Sequence, residues 1–365
     1  MKAAIYESFN EEISIQNVPI PKLQHSNGVL IQVMATGVCR SDWHGWKGHD
    51  GDIKKHGLPF IPGHEFSGVI VATGNDVKKF RPGDRVAVPF ILSCGSCHYC
   101  STEKRPTICA RQEQPGFTQL GSFAEYVAIP RADRNLCHLP SNVSFIQAAA
   151  LGCRFTTAYR AVIQQGKLQA GQTIAVFGCG GLGLSCIMMA KSKGAKIIIA
   201  VDVSFSALEK AKALGATHLV LNSKTQKQDP QTIASEVNKH TTFEGGAHVT
   251  IDAAGFLATS EAAVYATRPG GRMVQVGLPF GLAQIPMTMV AGREIEIVGS
   301  HGFDAKALPD LLHLVATDPT MDPSLLVERC VSLEEGARAL MEMDKQSPLG
   351  IVMITNFNDS SSSRL

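Results

Sequence analysis

The sequence predicts an α/β chain in two parts: a β-rich, barrel-like half and a doubly wound, six-stranded parallel sheet. Three observations carry this expectation. Short β-rich runs separated by turns fill the chain from Met1 to about Pro140. After that, strand-like runs mostly alternate with helical stretches, as repeated βαβ units require. A glycine-rich turn, Gly178-Cys179-Gly180-Gly181-Leu182-Gly183, follows the first of these strands and opens a helix.

In the first half the strands fall at Val29–Met34, Gly68–Ala72, Arg85–Pro89 and Phe123–Ile129, each rich in Val, Ile or aromatic residues. In the second they fall at Thr173–Phe177, Lys196–Val201, His218–Leu221, His248–Asp252, Arg272–Val276 and Glu294–Val298. Helices are expected at Leu182–Lys193, Ser206–Leu214 and Gln231–Lys239. After Gly299, helices near Ala305–Ala316 and Leu333–Met343 precede a last strand at Ile351–Ile354, a tail expected to pack back on the first part. The polar run Asn358-Asp359-Ser360-Ser361-Ser362-Ser363 reads as disordered.

A chain of 365 residues has room for two cores. Hydrophobic content of 44% and charged content of 18% are those of a soluble globular protein. A net charge of +2 without a basic run leaves no footprint for nucleic acid, so a small-molecule partner is expected. Thr173 to Ala190 has about the length of a membrane span, but Gly178, Gly180, Gly181 and Gly183 interrupt it, and a strand-turn-helix accounts for it better. Met1-Lys2 leads into an apolar stretch that Glu7 soon ends, which is no secretory pattern. Ten cysteines in that setting imply a reducing compartment, and the expected location is cytoplasmic.

Cys39-Arg40-Ser41-Asp42, the triplet Gly63-His64-Glu65 and the distant Cys153 read together as a metal site for alcohol chemistry. Two thiolates and an imidazole suit zinc, and three protein ligands leave a position open for substrate. Ser41 offers a hydroxyl beside that position and His44 lies close by in sequence, the makings of a path for a departing proton. A second cluster, Cys94-x2-Cys97-x2-Cys100-x8-Cys109, supplies four thiolates from one loop, the spacing of a closed, structural zinc site. Cys137, Cys186 and Cys330 sit in apolar surroundings and read as core thiols, while Cys179 has no evident task.

In the glycine turn, the first Gly allows the tight bend and the second lets backbone approach a pyrophosphate. The third lets helix and strand pack closely, and the helix N-terminus offers amides to the phosphates. Asp202 closes the next strand, nineteen residues beyond Gly183, where an acid accepts from both ribose hydroxyls of NAD and repels a 2′-phosphate. The alternative reading makes Asp202 the N-cap of the following helix.

These motifs, in this order, resemble the zinc-containing alcohol dehydrogenases of the medium-chain dehydrogenase/reductase superfamily over all but the Ser-rich tail. The resemblance implies a GroES-like catalytic domain from both chain ends, residues 1–153 and 298–365, with a Rossmann coenzyme-binding domain at 154–297. It implies two zinc ions per chain, the catalytic one held by Cys39, His64 and Cys153 and the structural one by the four clustered cysteines. Glu65 matches a glutamate that can approach the metal, Asp42 the acid that orients His64, and Ser41 with His44 the proton relay. Arg40 matches a pyrophosphate partner, Thr157 a position beside the nicotinamide, and Val276-Gly277-Leu278 the segment whose backbone holds the carboxamide. Phe90 matches a wall of the substrate pocket.

The implied reaction is reversible hydride transfer between an alcohol and NAD, giving an aldehyde or ketone, in a homodimer or homotetramer. A polyol or amino-alcohol dehydrogenase and a non-catalytic NAD(H)-binding protein are the alternatives. Cys153 favours alcohol dehydrogenases proper, since many polyol and threonine dehydrogenases carry an acidic ligand there. Two departures stand out. The Cys100–Cys109 gap is one residue longer than usual, and Pro348-Leu349-Gly350 lacks the basic residue many members carry before the final strand.

Overall fold

The computed structural model describes every residue except 223–228, 242–244, 346–347 and 358–365, so the Ser-rich run lies outside the described residues. The chain divides into two compact units, Met1–Cys153 with Gly302–Leu365, and Arg154–His301.

The first unit opens with an antiparallel ribbon of β1 (Lys2–Ile5) and β2 (Ser14–Asn17). Its main sheet is organised by β3 (Val29–Val38), four residues longer than the run expected from sequence. Along one edge β3 pairs with β4 (Glu65–Thr73), which continues to β5 (Arg85–Val88). The other edge is shared. Residues 29–32 pair with β6 (Tyr126–Ile129) and residues 36–38 with the last strand of the chain. Inward Val29, Ile31 and Val33 alternate with more exposed neighbours, but from Ala35 onward every residue of β3 is buried. That covered end delivers the chain to Cys39. The two-residue β7 (Cys137–His138) closes the β5 side.

The second unit is the doubly wound sheet. Its strands are β8 (Thr173–Phe177), β9 (Ile197–Asp202), β10 (His218–Leu221), β11 (Ala247–Asp252), β12 (Thr267–Gln275) and β13 (Glu296–Gly299). All pair in parallel in the order β10-β9-β8-β11-β12-β13. Helices Gly181–Ser192, Phe205–Leu214 and Pro230–Asn238 stand within one residue of the expected bounds. Helices Leu257–Tyr265 and Met287–Gly292, not anticipated, complete the crossovers. Strand order reverses between β8 and β11, so the glycine turn after β8 stands at the topological switch point where doubly wound sheets bind ligands. The boundary read from sequence at 297/298 falls inside β13; hydrogen bonding to β12 carries that strand to Gly299, and the unit ends at His301.

From Gly302 the chain belongs to the first unit. The expected helix at 305–316 begins as a 3-10 turn, Ala305–Ala307, before the α-helix Leu308–Thr317, which has Pro309 in its first turn. An unanticipated β14 (Val327–Ser332) pairs in parallel with β15 (Ile351–Asn356), which lies antiparallel to β3. Cys330 is a correction: it sits on β14, an edge strand, and is exposed. Cys186 is fully buried and Cys137 half-buried, with burial pushing the Cys137 thiol up to about 11.

Candidate active site and metal centres

Cys39 follows β3 directly and is the N-cap residue of the helix Arg40–Trp46. One turn in, Asp42 is buried and turns its carboxylate back on the chain around it. Cys39 N–H donates to Oδ2 at 3.1 Å, Gly63 N–H to Oδ1 at 3.0 Å, and His64 Nδ1 contacts Oδ1 at 2.7 Å. One carboxylate therefore sets both the Cys39 loop and the tautomer of His64, leaving Nε2 as the ring's lone-pair nitrogen. Nε2 is buried and makes no hydrogen bond of acceptable geometry.

It faces a cluster. One ligand atom each from Cys39, His64, Glu65 and Cys153 lies within 4.8 Å of the other three. Burial works against charge on the His64 imidazole, yet the Asp42 carboxylate and the Cys39 sulfur hold it well above its ordinary range. A place that attracts a proton this strongly attracts a metal cation for the same electrostatic reason. Cys153 enters on a π-helical turn, Leu151–Phe155, kinked at Gly152, and its N–H donates to Glu65 Oε1 at 3.2 Å. Glu65 fits because glycines surround it: a Cβ at Gly37 would lie 2.6 Å from Glu65 Oε2, and one at Gly152 2.5 Å from Glu65 Cβ.

Phe90 and Phe117 pack against the His64 ring, with centroids 6.0 and 5.0 Å away. Phe117 was missed in the sequence. Its loop is held by Gly116 and Gly121 pressed onto Gly63, a contact that no local pattern encodes. Ser41 lies in the first helical turn, and Arg40 stacks on Trp43 (3.8 Å to the ring centroid) while donating to Met343 O at 2.8 Å.

The four sulfurs of Cys94, Cys97, Cys100 and Cys109 also lie within 4.8 Å of one another, so the longer gap is absorbed. Cys94 N–H and Arg111 N–H point at Cys109 Sγ (3.3 and 3.4 Å), and Cys97 N–H at Cys94 Sγ (3.4 Å), as thiolates require. Burial opposes ionisation at Cys94, but the backbone amides of Ser96 and Cys97 bring it down to about 5. Cys109 is pushed up to about 12, by burial and by its neighbouring thiols. Four such sulfurs ionise together only around a cation, and their donor set fits zinc.

In the second unit, a Cβ on Gly183 would sit 1.7 Å from Gly178 O, which brings helix and strand together, while above Gly180 there is open space. The helix Gly181–Ser192 has no side-chain cap, so its first amides are available to phosphates. Asp202 ends β9 and accepts from Cys179 N–H (2.6 Å) and Ser204 N–H (2.8 Å), which gives the Cys179 backbone its task. The cap of the next helix is Ser204, so Asp202 is not its N-cap. Val276-Gly277-Leu278 is held by Val276 and Gly277 N–H groups donating to Asp252 O. The buried Asp252 carboxylate, also unanticipated, accepts from Ala254, Gly255, Thr259, Ser260 and Gln275. Thr157 places a buried hydroxyl without a hydrogen-bond partner on the helix Thr156–Tyr159. An open backbone cradle, an acid at the end of β9 and an orphan hydroxyl fit a dinucleotide.

Residues 25–141 match the alcohol dehydrogenase GroES-like domain, and residues 181–317 match the zinc-binding dehydrogenase domain. An alcohol dehydrogenase of Geobacillus stearothermophilus is 37% identical over 317 residues, 87% of this chain and 89% of the relative. The chain belongs to the zinc-containing alcohol dehydrogenase family of the medium-chain dehydrogenase/reductase superfamily. The sorbitol dehydrogenase of Bacillus subtilis (strain 168) is 35% identical over 345 residues, 93% of this chain and 92% of the relative. Among solved structures, the alcohol dehydrogenase TADH from Thermus sp. ATN1 superposes with a TM-score of 0.88 at 30% identity, covering 98% of this chain and all of that one. Family membership makes this zinc-dependent dehydrogenase an NAD-linked oxidoreductase acting on alcohols.

Asp42→Ala should weaken zinc at the Cys39 centre about 10- to 100-fold, read as earlier loss of one of the two metals in a chelator titration followed by elemental analysis. Gly183→Ala should cost about 1–3 kcal/mol of stability by overpacking, measured by urea unfolding, and weaken NADH binding in a fluorescence titration.

Proposed function

We propose that Cys39, His64 and Cys153 hold a catalytic zinc, with Glu65 able to enter or leave its coordination, and that Cys94, Cys97, Cys100 and Cys109 hold a structural one. The observation that carries this reading is the convergence of two thiols, an imidazole and a carboxylate within 4.8 Å, with His64 oriented by Asp42. When bound, zinc supplies a Lewis acid for the alcohol oxygen and NAD takes up the hydride. The chain's own residues bind, orient and move protons. Gly178, Gly180, Gly181, Leu182 and Gly183 seat the pyrophosphate with Arg40, and Asp202 takes the ribose. Thr157 and the Val276-Gly277-Leu278 backbone orient the nicotinamide. Ser41 accepts the alcohol proton and His44 carries it onward.

Among substrates, a monoalcohol is favoured over a polyol. Phe90 and Phe117 put apolar faces beside the His64 ring, and Cys153 supplies a thiol in the third ligand position. The likeness to a sorbitol dehydrogenase keeps polyols as the second reading. A non-catalytic NAD(H)-binding role fits poorly, because the ligand and relay residues are all present.

The protein should act in the cytoplasm. No disulfide joins the described cysteines, and among the described residues no helix is long and apolar enough to cross a membrane. A homodimer, or a homotetramer built from two, should form through β13. That strand ends the sheet with Ile297 exposed, and Leu278, Phe280, Leu282 and Met287 are exposed nearby in sequence. A monomeric mass in light scattering would refute this, and Phe280→Glu with Leu282→Glu should dissociate the oligomer.

The activity is tested with NAD or NADP against alcohols from ethanol through long-chain, branched, aromatic and polyol members. Chelator-sensitive, NAD-dependent oxidation of monoalcohols is expected, and turnover of polyols alone would favour the second reading. Cys39→Ser should abolish turnover while leaving NADH binding intact; full activity in that variant would overturn the ligand assignment.

A further inference from the structure

The helix Arg40–Trp46 does not simply stop beyond the metal site. It ends in a Schellman motif, with Lys47 as the C-cap residue and Gly48 at φ 72° immediately after it. Gly48 N–H donates to Gly45 O at 2.9 Å, and His49 N–H donates to His44 O at 2.9 Å. The glycine is required twice over, since a Cβ there would also lie 3.0 Å from Phe9 Cγ. This turn folds His49 back over His44, and their Nδ1 atoms meet at 3.0 Å. Trp43 fixes both rings by edge contacts, with centroids 4.8 Å from His44 and 5.8 Å from His49. His44 is half-buried and His49 exposed.

We propose that His49 is the outlet of the proton relay, receiving from His44 Nδ1 the proton that Ser41 and His44 remove from the alcohol, and passing it to water. The inference rests on the relay assigned above to Ser41 and His44. The balance is simple. His44, neutral with a proton on Nδ1, gains the substrate proton on Nε2 and becomes an imidazolium. Its Nδ1 proton then crosses to the Nδ1 lone pair of His49, which releases its own Nε2 proton to solvent. In aldehyde reduction the same path runs inward. No oxidant or further reactant is needed.

The surroundings favour passage over storage. Burial, then the charges of Arg40 and His49, make His44 a weaker base than usual, with Cys39 opposing them. In the same turn Lys47 pairs with Asp344 of the 3-10 turn Glu342–Asp344 at 2.7 Å, and Asp50 follows His49 in sequence. A proton reaching His44 is therefore held less firmly than by a free imidazole, and an exposed imidazole stands ready to take it.

His49 acts through His44, so its loss should alter the timing of proton movement and leave hydride transfer chemistry and coenzyme affinity in place. Three proteins are compared, the parent, His49→Gln and His44→Gln, with 1-butanol and NAD. His49→Gln should lower kcat for oxidation about tenfold below neutral pH, less than the roughly 10²–10⁴-fold that a group transferring the proton directly contributes. The solvent deuterium isotope effect should rise, millimolar imidazole should restore the rate, and NADH affinity should be unchanged. A parent-like pH profile and isotope effect in His49→Gln, with His44→Gln impaired, would overturn the role of His49 alone. Parent-like behaviour in both variants would overturn the relay reading itself. A readout independent of turnover is the 15N titration of the histidine rings. In His49→Gln the His44 midpoint should rise relative to the parent, because a neighbouring cation has been removed. An unmoved His44 curve would equally refute the coupling.

Discussion

One buried carboxylate governs the first unit's chemistry. Asp42 is enclosed, and a buried carboxylate is tolerated only when donors surround it. Its donors are the Cys39 amide, the Gly63 amide and the His64 ring, each belonging or adjacent to a residue of the cysteine–histidine cluster. Charged hydrogen bonds of this kind contribute about 1.5–3 kcal/mol each, so the arrangement that satisfies Asp42 is also the one that aims the sulfur and the imidazole. Stability and site geometry are here the same set of contacts. The helix that bears Asp42 begins at the Cys39 cap, and the turn after it folds His49 onto His44, so one short segment carries both the clustered thiol and the paired imidazoles.

The second unit reaches order by a similar device. Asp252, at the end of β11, accepts from five groups in the loop and helix after β11 and on β12, and its backbone oxygen takes two more N–H groups from the Val276-Gly277 segment. Strand ends in a parallel sheet leave unsatisfied amides at the edge where ligands bind. A carboxylate there turns loose loops into a defined rim. Close glycine contacts complete it, with Gly255 and Gly277 so near that a Cβ on the latter would lie 2.3 Å from Gly255 N.

Much of this was legible beforehand. The six strands of the parallel sheet and three of its helices follow from hydrophobic period and from turn residues, both properties of short segments. The cysteine loop was legible because its ligands are consecutive, and the glycine turn because its flanks are a strand and a helix. The elements overlooked share the opposite character. β14 reads Val-Glu-Arg-Cys-Val-Ser, a half-exposed edge that becomes a strand only because β15 lies beside it. Helix Arg40–Trp46 is rich in polar and aromatic residues with no helical stripe, and its cap is a cysteine rather than Ser, Thr, Asp or Asn. Phe117 escaped notice because it packs on His64, far away in sequence, and Asp252 because a loop, a helix and a neighbouring strand converge on it only in the fold.

By itself, the sequence determined which chemistry was available: seven thiol and imidazole side chains in two patterned groups, a phosphate-type glycine turn, and an acid at the ribose distance. These are matters of residue type and local spacing, which a one-dimensional pattern carries completely. Only the tertiary structure brought Cys153 to Cys39 and His64 from far along the chain, gave Glu65 room between Gly37 and Gly152, and closed His49 over His44. Those meetings depend on packing between segments distant in the chain, or on the handedness of a single glycine, and neither is written in hydrophobic periodicity.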